Sequence, residues 1–119
     1  MKKRVMEIIK RKLVQSMNEI LETINKELSD EIAQIESDSV IGDIVDKANS
    51  ILEMQIYDKL TEKEQEKLQE ISDALKRIED GVYGKCVVCG KPIEEKRLLA
   101  IPEAKMCITC KSAQEKKKI

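Results

Sequence analysis

The sequence has no histidine, phenylalanine or tryptophan, and its only rings are Tyr57 and Tyr83. Without imidazole there is no His-dependent triad and no imidazole acid–base step. Without large rings to fill it, a broad sandwich or barrel core is not expected. Glycine and proline are scarce, at four and two. The glycines never fall into GxGxxG or GxxxxGK, which excludes phosphate-cradling loops. Charge of one sign is also lacking: 22 basic residues stand against 23 acidic ones, and the net of −1 gives no global pull toward nucleic acid or an anionic membrane. The longest apolar run is Leu98-Leu99-Ala100-Ile101, far short of the roughly 18–20 residues of a membrane span. Met1-Lys2-Lys3-Arg4 has the basic start of a signal peptide, but Glu7, Lys10, Arg11 and Lys12 interrupt any apolar region behind it. A cytoplasmic location is expected, where four cysteines stay reduced and favour a metal over disulfides. Nothing here points to an enzyme.

What is present is helical. Ala, Glu, Lys, Leu and Arg make up 53 of the 119 residues, near the half that marks long helices. Apolar residues recur in steps of three and four at 5, 9, 13, 17, 20, 24, 28, 32 and 35, one stripe on one helix face. Such a helix would be about 45 Å long. Ser37-Asp38-Ser39 and Gly42 supply turn chemistry. The stripe resumes at Ile41 and runs to Ile78, with an apolar gap at 61–67 where Thr61 and Glu64 have capping-box spacing. Because 43–80 holds no glycine or proline, an uninterrupted second helix is the preferred reading, with Gly81 as its stop.

Two such helices must bury their stripes on each other. The expected fold is mainly α: a long antiparallel, coiled-coil-like hairpin over 1–80 with its tip near 37–48. A small four-cysteine zinc-finger module with a short C-terminal helix follows over 81–119. This reading puts the tip a rod's length from the finger.

All four cysteines fall in one pattern, Cys86-x2-Cys89-x17-Cys107-x2-Cys110. Each pair can wrap two thiolates onto one ion, and two pairs close a tetrahedral sulfur shell. That chemistry suits zinc, less often iron, and neither magnesium nor calcium. A full thiolate shell leaves no position for water, so the site is structural. A thioredoxin-like dithiol is the competing reading, but it carries one such pair in a βαβ context that is missing here.

Around these cysteines the sequence becomes recognisable. Ile78-Glu79-Asp80-Gly81-Val82-Tyr83-Gly84-Lys85-Cys86-Val87-Val88-Cys89-Gly90 resembles the finger of the DksA/TraR family of bacterial transcription regulators. So does Arg97-Leu98-Leu99-Ala100-Ile101-Pro102 leading into Met106-Cys107-Ile108-Thr109-Cys110-Lys111. The resemblance implies a monomer that binds RNA polymerase and inserts its helical tip into the secondary channel. It would change promoter-complex stability there without specific DNA contact. The family's acting motif, Asp-x-x-Asp-x-Ala, is matched by Asp43, Asp46 and Ala48. Physically, acids at the start of a helix also suit its cap and dipole. Members responding to guanosine tetraphosphate use basic residues at positions that are Glu70 and Ile101 here. Only Lys111 stays basic as a possible anion contact, a thin cluster for a tetra-anion. Two other classes remain in play: a zinc-finger nucleic-acid-binding protein that uses the basic end on phosphates, and a helical adaptor with a zinc clasp.

Overall fold

The computed structural model describes residues 2–27 and 35–117. Five α-helices follow in order: α1 (Lys3–Glu27), α2 (Ile41–Glu53), α3 (Glu62–Glu79), α4 (Glu95–Ala100) and α5 (Ile108–Lys117). A 3₁₀ turn, Gln55–Lys59, separates α2 from α3. The protein is mainly helical, with a four-cysteine module and a C-terminal helix, as the sequence implies. None of the described helices is long and apolar enough to cross a membrane.

The core follows the stripes. Ile9, Leu13, Met17 and Leu21 of α1 are fully buried, each one turn from the next. Leu21, rather than the half-buried Ile20, continues the series. α2 buries Ile44, Val45, Ala48 and Ile51, and α3 buries Leu68, Ile71, Ala74 and Leu75. Burying a side chain of this size is worth about 1.5–3 kcal/mol. This shared apolar surface holds the helices together.

Three side-chain contacts fix the register of α2 on α3. Gly42 lies against Glu79, so that a Cβ there would sit 3.3 Å from its carboxylate. The Ser72 hydroxyl lies 3.4 Å from the Asn49 amide oxygen. Near the connection, the Gln65 amide donates to the Tyr57 carbonyl at 2.9 Å. As one chain advances the other retreats, which defines an antiparallel hairpin. α1 packs along α3 as well.

The second segment is therefore not one continuous helix, and the preference for continuity is corrected. Met54 (φ −75°, ψ 146°) and Leu60 (φ −76°, ψ 152°) are extended and bracket the 3₁₀ turn. The signal for the break is the one at Thr61. Its hydroxyl accepts from the Glu64 N–H at 3.1 Å, and the Glu64 carboxylate accepts from the Thr61 N–H at 3.0 Å, a complete capping box. Folding back lets α2 cover the apolar face of α3, a gain that a straight helix forgoes.

The first helix also stops short of the expected Ile35. The stripe positions Leu28 and Ile32 lie outside the described residues. Ile35 itself is non-helical, and its N–H and C=O both bond the Asn18 side chain at 2.8 Å. Were 18–35 one helix, those residues would be about 25 Å apart. Further back along α1, Arg11 meets Asp38 at 3.3 Å, while Lys12 donates to the Leu99 carbonyl in α4 at 2.8 Å. Adjacent residues of α1 thus touch the 35–40 segment and the finger. The separation by a rod's length does not hold in this structure.

α3 ends as the sequence predicts. Asp80 is the C-cap, and Gly81 takes φ +75°, which a side chain would strain. The Gly81 N–H bonds Ile78 O at 3.2 Å and the Val82 N–H bonds Arg77 O at 3.0 Å, a Schellman pair. By contrast, the N-cap of α2 is Val40, 68% exposed and without a side-chain cap bond. Val40→Ser should supply the missing acceptor and raise stability by about 0.5–2 kcal/mol, measured as a shift in the denaturant midpoint at constant slope. A midpoint that does not move would refute the capping deficit.

Candidate functional site

The finger is built from turns, not sheet. Lys85 and Pro92 form an antiparallel bridge, within which the Cys86 N–H bonds Lys91 O at 2.8 Å. The Gly90 N–H closes the first knuckle on Cys86 O at 2.9 Å, with φ +76° at Gly90. The Val87 N–H reaches Lys105 O at 2.9 Å and so ties the first knuckle to the second. Cys107 immediately precedes α5 and Cys110 lies in its first turn.

This arrangement collects all four cysteines, which are free of disulfides. Their sulfurs lie within 4.8 Å of one another, and those of Cys89 and Cys107 are 3.8 Å apart. Four sulfurs held at about 2.3 Å around one tetrahedral ion are separated by roughly 3.8 Å, whereas a disulfide needs about 2.05 Å. The cluster fits a zinc ion held by four thiolates. Backbone N–H groups of Cys89 and then Cys107 draw the Cys86 thiol down to about 6, and that of Cys110 lowers Cys107. The hydrogen bond to Cys107 pushes Cys110 up to about 12. Protein dipoles alone do not ionise four adjacent thiols; a divalent cation supplies the missing charge.

The finger is anchored on the helices by contacts the sequence did not reveal. Tyr83 is buried, donates to Pro102 O at 2.7 Å, and its phenol is raised by burial. Lys67 of α3 pairs with Glu103 at 2.5 Å, and Arg97 donates to Met106 O at 3.2 Å. Arg77 is lowered by burial, and among the described residues its Nε and Nη2 have no partner. Only Tyr83 carried a signal, as one of two aromatics. The remaining pairs are long-range and have no local pattern.

Asp43 and Asp46 are both exposed, whereas Ala48 is fully buried between α2 and α3. The structure places Asp43 third in α2, inside its first turn, with Val40 as the cap. Asp43 is therefore not the N-cap. Glu70, Ile101 and Lys111, distant in sequence, do converge: they line one cavity of about 240 Å³ with Arg97, Glu103 and Lys105.

Fold and site together define a helical protein with a C4-type zinc finger and one structural zinc. Residues 81–116 match the family model described as the prokaryotic dksA/traR C4-type zinc finger. The chain is 30% identical over 117 residues to the RNA polymerase-binding transcription factor DksA of Caulobacter vibrioides, covering 98% of this chain and 80% of that one. With the Escherichia coli K12 protein of the same name, identity is 32% over 101 residues, covering 81% and 67%. The structure of transcription factor DksA2 from Pseudomonas aeruginosa superposes with a TM-score of 0.63 at 30% identity, covering 98% and 88%. The chain belongs to the DksA/TraR family.

Proposed function

We propose that this protein is an RNA polymerase-binding transcription regulator of the DksA type, located in the cytoplasm. It acts as a monomer through the acidic start of α2 in the secondary channel. It is not an enzyme, in keeping with its named relatives, which are transcription factors. The observation that carries the reading is Asp43-x-x-Asp46-x-Ala48, standing in one chain with the family's finger. In this reading Cys86, Cys89, Cys107 and Cys110 ligate zinc and hold the finger as a rigid platform. Asp43 and Asp46 supply the acting charges, and Ala48 keeps the motif's helix face small.

Lys111 is the anion contact left in the Glu70–Ile101 cavity. Glu70 and Glu103 line the same space, and two carboxylates disfavour a tetra-anion there. Guanosine tetraphosphate is therefore not a required partner. The competing nucleic-acid reading relies on the basic end, where Lys10 pairs with Glu7, Arg11 with Asp38 and Lys12 with Leu99 O. Those cations are engaged within the protein.

The test is retention on core RNA polymerase and on duplex DNA at two salt concentrations. Polymerase should retain the protein at both, and DNA at neither. Retention on DNA that falls steeply with salt, with none on polymerase, would favour phosphate binding instead.

A further inference from the structure

We propose that the α2–α3 hairpin is a closed state, and that 54–61 is a hinge which straightens to carry Asp43 and Asp46 away from the finger. The inference rests on the polymerase reading above for its purpose, but not for its geometry.

Length is the first observation. A continuous helix over 41–79 would be about 58 Å long, whereas the longest dimension of the protein is 44 Å. The closed form places the start of α2 against Glu79, beside the finger, so the acids do not project from the body. A probe for a narrow channel needs them at a free end.

The connection is built unlike a fixed loop. Residues 54–61, Met-Gln-Ile-Tyr-Asp-Lys-Leu-Thr, contain no glycine or proline, and every one of them is compatible with α-helix. The apolar residues Ile44, Ala48, Leu52, Ile56 and Leu60 continue in unbroken steps of four through the bend. That period belongs to a helix running straight across it. The backbone there is a five-residue 3₁₀ turn between two extended residues, and 3₁₀ segments of this length within a helical run mark hinges.

Few local bonds hold the bend. Tyr57 and Gln65 exchange two hydrogen bonds, Tyr57 OH to Gln65 O at 3.2 Å and Gln65 Nε2 to Tyr57 O at 2.9 Å. The Thr61–Glu64 capping box is the other local restraint. The rest of the closed state is tertiary: the α2 face on α3, and Asn18 and Arg11 on Ile35 and Asp38. Straightening breaks these contacts, and restores α-helical bonds across 54–61. A partner that accepts only the projecting acids would shift the population toward the straight form.

Two variants separate the states. Gln55→Pro should lock the bend. The preceding Met54 already has the extended conformation that a following proline requires, and proline at 55 prevents a helix from running through. Gln65→Ala combined with Thr61→Ala should loosen it. The readout is the distance between spin labels on ketone-bearing residues replacing Val40 and Val82, both exposed, which leaves the cysteines untouched. Zinc content and helical circular dichroism verify folding.

Free wild type should give one short distance, below about 20 Å, and the loosened variant should add a population near about 60 Å. Wild type bound to core polymerase should show the long distance. Gln55→Pro should stay short and lose at least tenfold in its effect on transcription. A folded loosened variant that remains entirely short overturns the hinge, whatever polymerase does. A polymerase complex that holds only the short distance, with regulation intact, overturns its role. If the long population appears in the loosened variant but polymerase binds neither state, the hinge stands and the polymerase reading fails.

Discussion

Cys89→Ser should strip the protein of zinc and unfold residues 81–115 while α1, α2 and α3 persist. The module has few means of folding without metal. Among the described residues its regular pairing is a single bridge, Lys85 with Pro92, and its buried side chains are essentially Tyr83, Cys86, Ile93, Leu98 and Met106. So small a core seldom suffices alone. A structural zinc contributes an apparent ~10–16 kcal/mol at neutral pH, more than the whole stability of many domains. Serine keeps the size of the side chain but offers no thiolate, leaving three ligands and an open position.

Loss of the finger also removes Lys12–Leu99 and Lys67–Glu103, so the helices should melt a few degrees earlier, not collapse. Elemental analysis would report about one zinc per wild-type chain and none in the variant. Hydrogen exchange should show amides of Val87, Ile93 and Lys111 unprotected, and those of Leu68 and Ile71 still slow. Full zinc content in Cys89→Ser would refute the ligand assignment.

Replacing both Asp43 and Asp46 by asparagine should leave the fold and polymerase affinity nearly unchanged while the effect on transcription collapses. The structural cost is small because neither carboxylate caps α2 and both are exposed. Neither forms an ion pair among the described residues. Asp43 loses a dipole interaction of about 0.3–1 kcal/mol, and Asp46 lies beyond the first turn, where that effect has faded. Inside a polymerase channel the same charges would act at low effective dielectric. There a contact at about 4 Å can be worth ~4 kcal/mol, against about 1 in water. Even about 1.4 kcal/mol is tenfold, so a loss of tenfold or more is expected. The assay is in vitro transcription from a promoter the wild type inhibits, with polymerase affinity measured in parallel. A double variant that binds and inhibits like wild type would leave the two acids with only a structural role.

The sequence by itself determined what depends on neighbours along the chain. The cysteine spacing specified a four-thiolate site, since two-residue loops close around an ion whatever the rest of the fold does. Gly81 specified the end of α3, because only a residue without Cβ takes φ +75° cheaply. Helicity and the buried faces of Ile9, Leu13 and Met17 followed from spacing. Only the tertiary structure decided the competition at 54–61. There the period of the apolar residues favours a straight helix and the Thr61–Glu64 box favours a stop, and burial of α2 on α3 favours the bend. The return of the chain to α1 by Ile35 was equally illegible, since it depends on Asn18 meeting a backbone 17 residues away. So was the meeting of Glu70, Ile101 and Lys111 around one cavity. Each of these is settled by burial and pairing between distant segments, and those energies belong to no single stretch of sequence.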